Sequence, residues 1–195
     1  MFTIFLQLGF EHITDFYGYD HILFLVVLSI SYTIKQWKRL LVLITAFTAG
    51  HTISLALAVS NIIYVNSSII EFLIPVTILF TAILNLVKKQ SEANLPNHYK
   101  KYLIAIVFGL IHGLGFSGYL KSILNAQDSI FTPLLAFNIG LEIGQIVIVF
   151  ILYLISNLIN KLFPSLTTKY VVLTSGLIGI VALFMIINRF QSFLI

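Results

Sequence analysis

Six apolar runs dominate the sequence, each close to the roughly 20 residues that a ~30 Å hydrocarbon layer demands of a crossing helix. They are drawn at His21–Ile34, Leu40–Ser60, Ser68–Val87, Tyr102–Leu124, Phe131–Asn157 and Tyr170–Asn188. Lipid offers no water to a backbone N–H or C=O, so such runs must be helices that satisfy their own hydrogen bonds. The expected fold is therefore all-α, a polytopic membrane helix bundle of about six transmembrane helices forming one domain over residues 1–195. Phe2–Phe10 is apolar but too short to cross, and is expected as an interfacial or re-entrant segment before the first span. With only 9% charged residues and a mean hydropathy of +1.03, a soluble globular domain is excluded.

Basic residues set the expected topology. Lys35, Lys38 and Arg39 follow span one, Lys88, Lys89, Lys100 and Lys101 follow span three, and Lys161 and Lys169 follow span five. Those loops are expected in the cytoplasm, with both termini on the outer, periplasmic side of a bacterial inner membrane. The net charge of +4 reflects this bias and carries no nucleic-acid signal. There are no cysteines, so disulfides and thiolate ligands are excluded. The N-terminus lacks a basic stretch and a small-residue cleavage site, and is expected to be retained. The linker KKQSEANLPNHYKK reads as a solvated loop. The lipid bilayer is the one certain partner, and a homo-oligomer stays open.

The ionisable residues do not follow the loops. His12, His21, His51 and His112, with Asp20, Glu71 and Glu142, lie in or beside spans, and only His98 falls in a loop. At 1.5 Å per residue, His51 and His112 stand about 16–18 Å above the inner edge, Glu71 about 10 Å or less below the outer edge, and Glu142 near the midplane. Asp20 and His21 are expected at the outer edge. Isolated buried charges are expensive in lipid, but a divalent cation stabilises neutral imidazole and ionised carboxylate together. A shared metal or proton site in the outer half of the bilayer follows.

Spacing supports inward-facing clusters. Asn138, Glu142 and Gln145 share one face of a helix, and Thr48, His51 and Thr52 share another. The threonines are equally well explained by hydrogen bonds within or between helices. Pro75 removes the helical partner of the Glu71 carbonyl, four residues earlier, so a kink there can free an oxygen. Gly109 and Gly113 form one small-xxx-small pair and Gly140 and Gly144 another, which suggests that their two helices approach and bring His112 toward Glu142. FTAGH, ending at His51, and FGLIH, ending at His112, each precede a descending span with a lone Glu, suggesting a parallel hairpin repeat.

In order along the chain, GYDHILFLVVL, FTAGHTISLALA, IIEFLIPVTI, FGLIHGLGFSG and FNIGLEIGQ resemble the HupE/UreJ family of small membrane proteins, from about Glu11 to Gln145. The resemblance implies a nickel or cobalt permease with Asp20, His21, His51, Glu71, His112 and Glu142 as metal ligands, supported by Asn138 and Gln145. HITDFYGYDH departs from the family spacing by putting seven residues between His12 and Asp20, so His12 ranks below His21 as a supporting group. Nitrogen and oxygen donors suit Ni²⁺, Co²⁺ or Zn²⁺. The expected function is a divalent transition-metal permease or metal-binding membrane protein. Its rivals are a zinc-dependent intramembrane hydrolase, with a Glu as general base, and an assembly protein whose polar groups only order the helices.

Overall fold

A computed structural model describes residues 1–87, 98–124, 129–163 and 167–194, and all regular structure among them is helical. The helices are α1 (Phe2–Thr14), α2 (Asp20–Ser29), α3 (Trp37–Val59), α4 (Ser67–Val87), α5 (His98–Ile123), α6 (Phe131–Leu162) and α7 (Thr167–Leu194), with a short 3₁₀ turn at Ile34–Gln36. Five of them, α3 to α7, are long and apolar enough to cross a membrane. The linker expected as a loop lies outside the described residues at 88–97, which include Lys88 and Lys89, while its last four residues already belong to α5.

The first span is where the structure departs most from expectation. It is not one helix from His21 to Ile34 behind an interfacial segment but two short ones, α1 of 13 residues and α2 of 10. At 1.5 Å per residue they measure about 20 and 15 Å, so that only the two together have the length of a crossing. α1 is packed along α6 with Phe5, Gly9 and Ile13 buried, and it runs in the same direction as α6. The break falls at residues 15–19, closed by the Asp15 carboxylate accepting the Tyr17 N–H at 2.8 Å. Irregular backbone at this depth is tolerated where it borders a polar cavity, and this break does.

Helix ends follow from local chemistry. Asn66 caps α4 by accepting the Ser68 N–H at 2.9 Å. Beyond α3, Asn61 takes a φ of 59° while the Ile62 N–H reaches the Leu57 carbonyl and the Asn61 N–H reaches that of Ala58, both at 3.0 Å. This is the hydrogen-bond pattern of a Schellman cap, with Asn in the left-handed position that few residues other than Gly tolerate. The Asn61 side chain then accepts from Lys121 Nζ at 2.8 Å, tying the end of α3 to the end of α5.

Three helix pairs make the frame: α3 with α5, α1 with α6, and α4 with α7, with α2 held between α4 and α6. The glycines explain the first two. A Cβ on Gly109 would run into the Phe47 carbonyl of α3, and one on Gly50 into the Ile106 carbonyl of α5. A Cβ on Gly140 would run into the Leu6 carbonyl of α1, and one on Gly9 into the Phe137 carbonyl of α6. Each glycine pair therefore brings in a different partner, and the expected meeting of the two glycine-bearing helices does not occur. Gly109 packs against Phe47 and Gly113 against His51, so α3 and α5 run in the same direction. Asn85 joins the remaining pair: its amide donates to the Val27 carbonyl at 2.6 Å and to Ser175 Oγ at 3.3 Å, and its oxygen accepts from Ser31.

Candidate metal centre

Four helices each bring one imidazole to the same place. His12 ends α1, His21 opens α2, His51 is on α3 and His112 on α5. Ring centroids lie 4.5 Å apart for His12 and His21, 5.2 Å for His21 and His112, 5.9 Å for His12 and His51, and 6.4 Å for His21 and His51. The break between α1 and α2 produces this meeting, since a continuous helix could not turn both His12 and His21 onto one point. His21, His51 and His112 are buried, with His51 fully so. Aromatic rings enclose them: Phe24 and Phe47 stand at 5.3 and 5.1 Å from His112, Phe116 at 4.0 Å from His12, and Phe137 stacks on His51 at 6.2 Å.

Hydrogen bonding fixes which nitrogen is free on two of the rings. Asp20 Oδ1 accepts both the backbone N–H and the Nδ1–H of His21, each at 2.9 Å, which leaves the His21 Nε2 lone pair facing inward. The Thr77 hydroxyl donates to the Ile74 carbonyl at 2.7 Å, so its oxygen accepts from His112 Nε2 at 3.2 Å and the lone pair of His112 is on Nδ1. His21 Nε2 and His112 Nδ1 have no partner, nor do His12 Nε2 and both nitrogens of His51, and all are buried. A buried polar atom without a partner costs about 1–3 kcal/mol, and native structures carry few of them. Five on neighbouring rings make this cluster the candidate site. Among the described residues, no three His, Asp or Glu side chains are already drawn together as a metal cage.

An open cleft of about 620 Å³ leads to the rings from the side of the break. His12 is in its wall together with Glu11, Asp15, Tyr17, Phe116 and Tyr119. Sequence reasoning passed over Glu11 and Asp15 as flanking charges, because α1 was not read as part of a span.

Of the carboxylates expected as ligands, Asp20 bonds to His21 behind the cluster, while Glu142 and Glu71 are placed elsewhere. Glu142 accepts from Thr45 Oγ1 at 2.7 Å in the seam between α3 and α6, and no described contact joins it to an imidazole. Asn138 and Gln145 lie on the same seam, accepting from Thr52 at 2.6 Å and Thr48 at 2.8 Å. The Thr48 and Thr52 hydroxyls also lie 3.2 and 2.7 Å from the Ile44 and Thr48 carbonyls, so each shares its single proton between its own helix and α6. The Glu71 side chain is exposed. Its carbonyl, released by Pro75, accepts from Arg189 Nη1 at 2.6 Å, and Arg189 Nη2 pairs with Asp20 Oδ2 at 3.6 Å. Sequence reasoning left Arg189 just beyond the last span, at Tyr170–Asn188, and gave it no role at the site.

A matching family model, HupE / UreJ protein, spans residues 1–189. The chain belongs to the HupE/UreJ family. The match takes in α1 through Arg189, and so extends well beyond Gln145, where the last of the sequence motifs ends. No curated protein and no solved structure matches the chain. Membership supports a membrane protein related to nickel or cobalt transport, in keeping with five candidate crossing helices.

A second cavity, about 420 Å³, lies toward the basic loops between α2, α3 and α6, with Val26, Tyr32, Leu41, Ile146, Tyr153 and Ser156 in its wall. Leu41 is four residues from Thr45 and Ile146 four from Glu142, one helical turn in each case. The seam of threonines and amides therefore descends from the level of His51 to the top of this cavity.

Proposed function

We propose that this HupE/UreJ protein is a permease for a divalent transition metal, with His12, His21, His51 and His112 as the intramembrane binding site. The observation that supports it is the set of five unpartnered, buried imidazole nitrogens. A metal bonded to imidazole nitrogen at 2.0–2.1 Å sets neighbouring ring centroids about 5 Å apart. The observed separations of 4.5–6.4 Å bracket that value, so small ring rotations close the site on an ion. Nitrogen donors suit Ni²⁺, Co²⁺ or Zn²⁺ and disfavour Ca²⁺ and Mg²⁺.

Asp20 acts behind His21, the carboxylate–imidazole arrangement that fixes a ligand's orientation and raises its basicity. Glu11 and Asp15 flank the cleft through which a hydrated cation reaches His12. Beyond the rings, the seam of Thr52 with Asn138, Thr48 with Gln145 and Thr45 with Glu142 supplies oxygen atoms toward the 420 Å³ cavity. In this reading the basic loops are cytoplasmic, the cleft opens to the periplasm, and the inner cavity is the exit.

The hydrolase reading requires a carboxylate free to act as base beside the metal. Asp20 is committed to His21 and Arg189, Glu142 to Thr45, Glu11 to Gln7 and Asp15 to the Tyr17 N–H. A purely structural role leaves the unpartnered nitrogens as uncompensated cost. The deciding experiment is elemental analysis of purified protein loaded with Ni²⁺, Co²⁺ or Zn²⁺, paired with metal uptake into proteoliposomes, for wild type, His21→Ala and His51→Ala. Bound metal and uptake lost together in the variants support a permease. Bound metal without uptake removes it.

A further inference from the structure

We propose that Arg189 is a positioning residue of the imidazole site, acting through Asp20; this rests on the metal-site reading above. The chain of contacts starts at Pro75. Lacking an N–H, it leaves the Glu71 carbonyl of α4 without its helical partner, and Arg189 of α7 fills the gap at 2.6 Å through Nη1. The other terminal nitrogen, Nη2, stands 3.6 Å from Asp20 Oδ2. Asp20 then divides its two oxygens, Oδ2 toward Arg189 and Oδ1 toward the backbone and ring N–H of His21. The ring nitrogen left over, His21 Nε2, is buried and faces the other imidazoles without a partner.

The geometry gives each link one task. A lone carboxylate beside His21 could turn about its own bonds and release the ring. Held between a guanidinium and two N–H groups, it has one orientation, and the guanidinium is itself fixed by a backbone carbonyl that only a proline-broken helix offers. The forked shape of arginine is what the site uses, since one nitrogen meets the carbonyl and the other the carboxylate; a lysine ammonium has a single nitrogen for both. Arg189 also balances the charge of Asp20 in a low-dielectric setting, so that the carboxylate orients a ligand. Its partners on two other helices, α2 and α4, make the aim of His21 depend on the docking of the last helix.

The test is a Co²⁺ titration of the purified full-length chain, followed by the visible absorption of the bound ion, for wild type, Arg189→Gln, Asp20→Asn, the double variant and Arg189→Lys. Partners of this kind contribute about tenfold to a hundredfold in metal affinity. Arg189→Gln and Asp20→Asn are each expected to weaken Co²⁺ by about tenfold or more, with the double variant no weaker than Asp20→Asn alone. Arg189→Lys should recover only part of the loss and serves as the informative variant if the glutamine form fails to fold. A silent Arg189→Gln, or losses that multiply in the double variant, would overturn the proposal by showing that Arg189 does not act through Asp20. Absence of Co²⁺ binding by the wild type would instead overturn the metal-site reading, and this inference with it.

Discussion

The seam between α3 and α6 and the chamber among α1, α2, α3 and α5 are both built from polar side chains inside apolar helices, yet they are wired in opposite ways. On the seam, Thr45, Thr48 and Thr52 each meet an oxygen on α6, at 2.6–2.8 Å. Only Gln145 Nε2 is left without a partner there. In the chamber, five buried ring nitrogens have no partner, while Asp20 and Thr77 each hold one other. A satisfied polar pair holds helices together, whereas a group of unsatisfied donors at one point is a place for something else to bind. Residue type does not separate the two regions; partner count does.

Substitution can break this distinction. The largest effect is expected at His51→Leu, which should reduce metal affinity by about a hundredfold or more. Its thermal stability in the metal-free state should be unchanged or higher, because an unpartnered buried group costs about 1–3 kcal/mol. A metal-free variant that is much less stable would place His51 among the structural residues. Next comes Gly109→Val. Its side chain would collide with the Phe47 carbonyl, so the α3–α5 pair that carries His51 and His112 should lose about 3 kcal/mol or more, read as a lower unfolding temperature. An unaffected unfolding temperature would mean that the close approach is not needed.

Acid should discriminate between the regions with a smaller effect. A proton and a metal compete for the same imidazole lone pair, so affinity at the chamber should fall steadily as pH is lowered, while the seam carries no imidazole. Affinity constant from neutral to mildly acid pH would argue against imidazole ligands. The smallest effect is expected at Thr48→Val, which removes one interhelical hydrogen bond worth about 0.6 kcal/mol in a membrane bundle. Metal affinity should stay within about twofold if the seam is only support. A loss comparable to that of His51→Leu would show that seam and chamber are one site.

The helices were legible because each apolar run announces its own length, and so were His21, His51 and His112, since an imidazole deep in a span is costly wherever it points. What could not be read was the choice of partners. Gly109 and Gly113 show that a helix will be closely approached, not by which neighbour, and the neighbour proved to be α3; Gly140 and Gly144 received α1. Glu142 was linked to His112 on that mistaken pairing. His12 was ranked below His21 on its spacing from Asp20, and the break at residues 15–19 that brings the two rings together has no signature in that spacing. The oxygen released by Pro75 was foreseen, but its recipient, Arg189, lies 118 positions along the chain in sequence.

The central claim is that imidazoles from separate helices close around one ion. X-ray absorption on the Zn²⁺-loaded wild-type protein tests it most directly. The account predicts a shell containing at least three imidazole nitrogens at about 2.0–2.1 Å, with the outer-ring scattering that imidazole alone produces. A shell made only of oxygen, or a single imidazole with carboxylates, would contradict it and move the site to Glu11, Asp15 and the open cleft.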